Sequence, residues 1–127
     1  MLARTPRILI IDDEPVVRGC AAEVLSGDGY LVMQAAGGAE GIAMALRWPP
    51  DLVLCDLLMP GVDGFAVLAR LRAEPSTADV PFIFITSSTE LEDARVGYSL
   101  GADEYINKPL AGEALLALVE RRLQRPA

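Results

Sequence analysis

The 127-residue sequence contains no histidine. That absence excludes Ser-His-Asp and Cys-His catalysis, removes imidazole from any metal site, and means that the chain cannot be a histidine phosphodonor. Lysine is almost as scarce: of 11 basic residues only Lys108 is a lysine, and the rest are arginines. Cys20 and Cys55 show no Cys-x-x-Cys spacing. Each is expected to be a small buried apolar side chain, kept reduced in a cytosolic setting. No apolar run approaches the roughly 20 residues needed to cross a bilayer. Met1 to Arg7 also lacks the apolar stretch of a secretory leader. The expectation is a cytoplasmic chain with no membrane partner. A basic patch is missing as well. The charge is 11 − 18 = −7, which argues against direct contact with nucleic acid.

What remains is enough to fold. The chain is 52% hydrophobic and 23% charged, so it can bury a real core, and its length fits a single domain. We expect that domain to span residues 1–127, with its core over about residues 7–124.

Arg7 to Ile11 is a short, continuous apolar run that ends in Asp12-Asp13-Glu14-Pro15. A β-branched run without polar alternation fits a strand covered on both faces. Asp13 or Glu14 can cap the following helix, with Pro15 in its first turn. Val16, Val17, Cys20, Ala21, Val24 and Leu25 recur at helical spacing and are expected on its inner face. The unit then repeats. Strands are expected at Tyr30–Gln34, Leu52–Cys55, Val80–Ile85 and Glu104–Asn107. Helices are expected from Ala39 to Arg47, from the Met59–Gly64 turn to about Ala73, from Glu90 to Leu100, and from about Gly112 to Gln124. Arg121, Arg122 and Arg125 lie where cations favour a helix C-terminus. Alternation of this kind predicts an α/β fold: a doubly wound, five-stranded parallel sheet with five helices.

Ligands of such sheets bind beyond the carboxyl ends of the strands. Strand one ends in Asp12 and Asp13, strand three in Asp56, strand four in Thr86 and Ser87, and strand five in Lys108. If strands one and three are neighbours, three carboxylates converge. Two unit charges about 4 Å apart repel by about 4 kcal/mol at an effective dielectric near 20. Lys108 can offset part of this and a divalent cation the rest. An all-oxygen site of this kind suits Mg²⁺, or Mn²⁺. Asp12 and Asp13 have a second possible task as helix caps, and the two roles are compatible. A carboxylate beside Mg²⁺ can attack phosphorus and form an aspartyl phosphate. Lys108, Thr86 and backbone N–H groups after Asp56 would then offset charge on the phosphoryl oxygens. Pro109 biases Lys108 towards extended geometry.

These residues resemble the response-regulator receiver domain. The resemblance rests on Asp12-Asp13, Asp56-x-x-Met59-Pro60-Gly61, Thr86 and Lys108-Pro109, in order and each at a strand end. It covers roughly residues 7–124. It implies the flavodoxin-like strand order 2-1-3-4-5. It further implies that Asp56 is the phosphoacceptor. Asp12, Asp13, Asp56 and the backbone carbonyl of Leu58 would hold the metal. Lys108, Thr86 and Ser87 would border the phosphoryl group. Thr86 and Tyr105 would form the switch, while Pro60, Gly61 and Pro109 shape the loops. Ser87 stands where the family usually has a smaller residue, and Leu58 where many relatives have a polar one. The implied partners are a sensor histidine kinase or phosphotransfer protein as donor, and a downstream effector or output domain.

On this reading the domain is not an enzyme beyond slow self-catalysed transfer and dephosphorylation. Phosphorylation would draw Thr86 towards the phosphoryl group and turn Tyr105 inward, changing the helix four–strand five–helix five face. The last helix is so apolar, with Ala114-Leu115-Leu116-Ala117-Leu118-Val119, that part of it is expected to be exposed and to support a homodimer through that face. The rivals are a receiver-like docking module without phosphorylation and an Mg²⁺-dependent phosphohydrolase. A nucleotide or flavin binder is a third, but the acidic turn after strand one would repel a phosphate.

Overall fold

The computed structural model describes residues 4–123, so Gln124 and Arg125 lie outside the described residues. Strands and helices alternate: β1 (Arg7–Ile11), α1 (Pro15–Gly27), β2 (Leu31–Ala35), α2 (Gly38–Arg47), β3 (Leu52–Cys55), α3 (Gly64–Arg72), β4 (Phe82–Thr86), α4 (Leu91–Ser99), β5 (Glu104–Asn107) and α5 (Gly112–Leu123). The strands pair in parallel in the order β2-β1-β3-β4-β5, as expected.

The apolar runs of β1, β3 and β4 follow from burial on both faces. Ile8, Ile10, Leu52, Leu54 and Ile83 pack with Ala22 and Leu25 of α1 and with Leu115, Leu118 and Val119 of α5. Leu9, Ile11, Val53, Cys55, Phe82 and Phe84 pack on the other face, against Ala45 of α2 and Val67, Leu68 and Leu71 of α3. Full burial of each large apolar side chain is favourable by about 1.5–3 kcal/mol. The three inner strands are therefore fixed in register, and a one-residue slip would turn each apolar set to the wrong cluster.

Element edges differ from the sequence reading where a backbone bond intervenes. β2 starts at Leu31, because the Tyr30 N–H closes the end of α1 by donating to the Leu25 carbonyl. β4 starts at Phe82, after Pro81, which has no N–H to give to a ladder. The expected caps of α1 are corrected. Glu14 holds the N-cap position but its side chain makes no cap bond. Asp12 Oδ1 instead accepts from the Glu14 N–H at 2.9 Å.

Three burial expectations are also corrected. On α1, Ala22 and Leu25 are the buried residues, while Val16, Val17 and Cys20 are exposed. The first turns of this helix overhang the sheet and form one wall of an apolar groove of about 330 Å³, with Ile85, Leu110 and Leu115 on the other side. Cys55 is buried as expected, but Cys20 is not. On α5 the large apolar residues face inward, and only Ala114 and Ala117 of the apolar run are exposed. The large exposed apolar side chains nearby belong to α4, with Leu91 at 87% and Tyr98 at 51% exposure. Among the described residues, no helix is long and apolar enough to cross a membrane.

Candidate functional site

Strand register assembles the site. Ile11 pairs with Cys55, so Asp12 and Asp56 leave neighbouring strands side by side. The Asp56 N–H donates to the Ile11 carbonyl at 2.9 Å, and the Asp12 N–H to the Ala35 carbonyl at 3.1 Å. On the other edge Thr86 pairs with Asn107, and the Lys108 N–H donates to the Thr86 carbonyl at 2.8 Å. Asp12, Asp56 and Thr86 are buried, and Asp13 is partly buried.

Lys108 Nζ contacts Asp12 Oδ2 at 2.9 Å, Glu14 Oε1 at 2.9 Å and Asp56 Oδ2 at 3.2 Å. The lone lysine thus meets three carboxylates. Burial works against its ammonium, yet the bonds to Glu14 and Asp12 and the Asp56 charge outweigh it and hold its pKa above the ordinary lysine range. Burial also pushes the Asp12 carboxyl upward, although the Glu14 N–H and Lys108 pull it down. The two partners shift in the same direction for different reasons. Lys108 has several acids to outweigh its burial, whereas Asp12 shares one ammonium with two others. Burial raises the Cys55 thiol well above its usual range, helped by the Asp56 charge, so Cys55 is an inert neighbour.

Asp12, Asp13 and Asp56 each offer a carboxylate oxygen, and these oxygens lie within 4.8 Å of one another. An all-oxygen set with one ammonium for three acids fits a hard divalent cation such as Mg²⁺.

The remaining predicted residues frame this cluster. The Leu58 N–H donates to Asp56 Oδ1 over a long 3.4 Å, and its side chain is 56% exposed. Pro60 is exposed, and Gly61 turns the loop with φ 76°, a conformation that favours glycine. At Gly64 a Cβ would come within 2.5 Å of the Asp56 carbonyl, so α3 begins hard against the backbone of that aspartate. Ser87 is exposed beside buried Thr86, and Pro109 is exposed after a cis Lys108–Pro109 bond.

Tyr105 lies away from the acids. Its ring packs against Phe84 with centroids 5.8 Å apart, and its buried hydroxyl finds no hydrogen-bond partner among the described residues. The ring is partly buried against Phe84 in this state, which is the starting point for the inward turn expected on phosphorylation. Sequence reasoning missed Glu14, whose acidic side chain looked like a helix cap. It also missed Tyr98, whose hydroxyl accepts the Tyr105 N–H at 3.1 Å and ties α4 to the edge strand.

The family description "response regulator receiver domain" matches residues 8–120. The chain is 43% identical to the DNA-binding dual master transcriptional regulator RpaA of Synechocystis, over 94% of this chain and 50% of that protein. It is 35% identical to protein PilH of Pseudomonas aeruginosa, over 89% of this chain and 93% of that protein. The structure of chemotaxis protein CheY4 of Vibrio cholerae superposes with a TM-score of 0.90 at 29% identity, covering 94% of this chain and 100% of that one. The chain spans about half the length of several curated relatives that it matches.

Proposed function

The chain belongs to the response-regulator receiver family, the phosphoaccepting module of two-component signalling, and on that footing we propose that Asp56 is its phosphoacceptor. A single observation carries the assignment. The only lysine in the chain reaches Asp56 and Asp12 at once, at 3.2 and 2.9 Å, where both acids end adjacent strands.

A carboxylate oxygen of Asp56 attacks phosphorus. The bond from phosphorus to the donor's imidazole nitrogen breaks, and its electron pair leaves with that nitrogen. Lys108 holds the attacking carboxylate now, and it is placed to pair with the phosphoryl oxygens as they gather charge. Thr86 is placed to donate a hydrogen bond from its hydroxyl to one of those oxygens. Asp12, Asp13, Asp56 and the Leu58 carbonyl would hold Mg²⁺, which supplies further charge neutralisation to the transferring group. The acids repel one another without it, and the phosphoryl group adds further negative charge, so the ion and Lys108 would offset both.

The donor is a histidine of a sensor kinase or phosphotransfer protein acting in the cytoplasm. The receiver is no enzyme in the ordinary sense, with self-catalysed transfer and dephosphorylation as its limit. Its output runs through the α4–β5–α5 face, where Leu91 and Tyr98 are exposed, to an effector, an output domain or a second copy. RpaA is a DNA-binding transcriptional regulator about twice this length, which supports an output beyond these residues.

The test is incubation with acetyl phosphate and Mg²⁺. We expect one acid-stable, base-labile phosphoryl group per chain on Asp56, and none in Asp56→Asn. An adduct on another residue overturns the site. No adduct leaves a docking module, and multiple turnover on phosphomonoesters would make the chain a phosphohydrolase.

A further inference from the structure

We propose that Asn107 is a positioning residue for phosphoryl transfer, acting through Thr86; this rests on the receiver reading above. Asn107 ends β5 opposite Thr86. Its side-chain Nδ2 donates to the Thr86 carbonyl at 3.4 Å and to the Ser88 carbonyl. Only the NH₂ end of an amide can meet two carbonyl oxygens, so the side chain acts as a double donor. It is an exposed residue with water at hand, yet both contacts turn back onto the β4–α4 loop.

That loop is linked onward by hydrogen bonds. The Ser88 N–H donates to Thr86 Oγ1 at 3.3 Å. Ser88 Oγ donates to Asp93 Oδ2 at 2.6 Å and accepts the Glu90 N–H at 3.3 Å, at the start of α4. Thr86 is fully buried, and its oxygen is engaged as an acceptor, which leaves its own proton for another acceptor. The Thr86 carbonyl also receives the Lys108 N–H at 2.8 Å. One carbonyl therefore takes bonds from Asn107 and Lys108 together. The backbones of the two residues whose hydroxyl and ammonium would serve the same phosphoryl group are thus joined there, with Asn107 on the same oxygen. Misplacing one charge-stabilising donor by a fraction of its bond length is enough to slow a transfer step.

A strand-end amide that merely stabilises the loop would not act through Thr86, and a double-mutant cycle separates the two roles. The maximal rate of adduct formation is measured at saturating acetyl phosphate and Mg²⁺ in the wild type, Asn107→Ala, Thr86→Ala and the double variant. Mg²⁺ affinity is measured on the same proteins by calorimetry. We expect Asn107→Ala to lower the maximal rate about fivefold and to leave Mg²⁺ affinity within about twofold. In the Thr86→Ala background the same substitution should change the rate by less than about twofold. Asn107→Asp, which keeps the shape and loses both donors, should match or exceed the loss seen with alanine and serves if alanine impairs folding. An equal effect in both backgrounds, or an unchanged rate in both variants, overturns the inference while the receiver reading stands. A wild-type chain that takes up no phosphate overturns both.

Discussion

Glu14 and Lys108, 94 residues apart in sequence, form an ion pair at 2.9 Å on the rim of the acidic pocket. Glu14 is more than half exposed, whereas the other two acids on Lys108 are buried. The lysine is thus held by one acid that solvent competes for and two that it barely touches. Glu14 is the partner that Lys108 can release most cheaply when a phosphoryl group arrives.

Replacing Glu14 by glutamine should therefore speed phosphorylation. The variant removes a competitor for Lys108 and one negative charge facing an anionic donor. We expect adduct formation with acetyl phosphate to rise about threefold, and the gain to shrink in high salt as the rim charge is screened. Rates at two ionic strengths check this. Slower uptake in Glu14→Gln would mean that the pair orients Lys108 instead of occupying it.

Asp56→Asn should stabilise the fold while abolishing the adduct. The substitution deletes one of three clustered acids, and Lys108 keeps Asp12 and Glu14. In Mg²⁺-free buffer we expect a gain of about 1 kcal/mol, or roughly 4 °C in Tm. Added Mg²⁺ should raise Tm less in the variant than in the wild type. Thermal melts with and without the ion decide, and a lower Tm in Mg²⁺-free buffer would contradict the account.

Tyr105 allows two substitutions with opposite expectations. Its hydroxyl is buried with no partner among the described residues, so Tyr105→Phe should be neutral or stabilising by up to about 1 kcal/mol. Tyr105→Ala strips the ring from Phe84 and should cost about 2 kcal/mol. The alanine variant should still take phosphate on Asp56 but lose the change in partner binding that phosphorylation causes. Denaturant melts and a binding assay measure the two effects separately.

Glu104 gives a pH signature outside the site. Burial raises its carboxyl, but Arg121 and Arg122, at 2.7 and 2.8 Å, outweigh this and hold it below the usual glutamate range. A depressed folded pKa contributes stability above the unfolded value of about 4.3, and that stability is lost as pH falls through the folded value. We expect Glu104→Gln to flatten the acid limb of stability below about pH 4.3, by less than about 1 kcal/mol. Melts from neutral to acidic pH in both proteins check the slope, and parallel curves would remove the assignment.

The strands were the most legible part of the sequence, because burial on both faces leaves an unbroken apolar run. β3 begins and ends where the run does, at Leu52–Cys55, whereas β5, Glu104–Asn107, is a partly buried edge strand marked by its place before Lys108-Pro109 and not by such a run. The acids were legible for the same reason, as charges that abruptly end such runs, and Lys108 as the one lysine of the chain. Helix faces were less so. Spacing put Val16, Val17 and Cys20 in line with Leu25, but it cannot say how far a helix overhangs its sheet. Partners that depend on side-chain reach left no trace. Glu14 read as a cap, and an amide at Asn107 or a phenol at Tyr98 has no signature in periodicity or spacing.

The three acids that Lys108 contacts, Asp12, Glu14 and Asp56, all fall within the first 56 positions, just past two strands that touch, while Lys108 itself comes 52 positions after Asp56, just past β5. A copy cut short before β5 would carry these acids without the ammonium that pairs with them. Competence to receive a message is in this way tied to completeness. On the proposed reading, a half-made copy would lack the cation that the transfer uses.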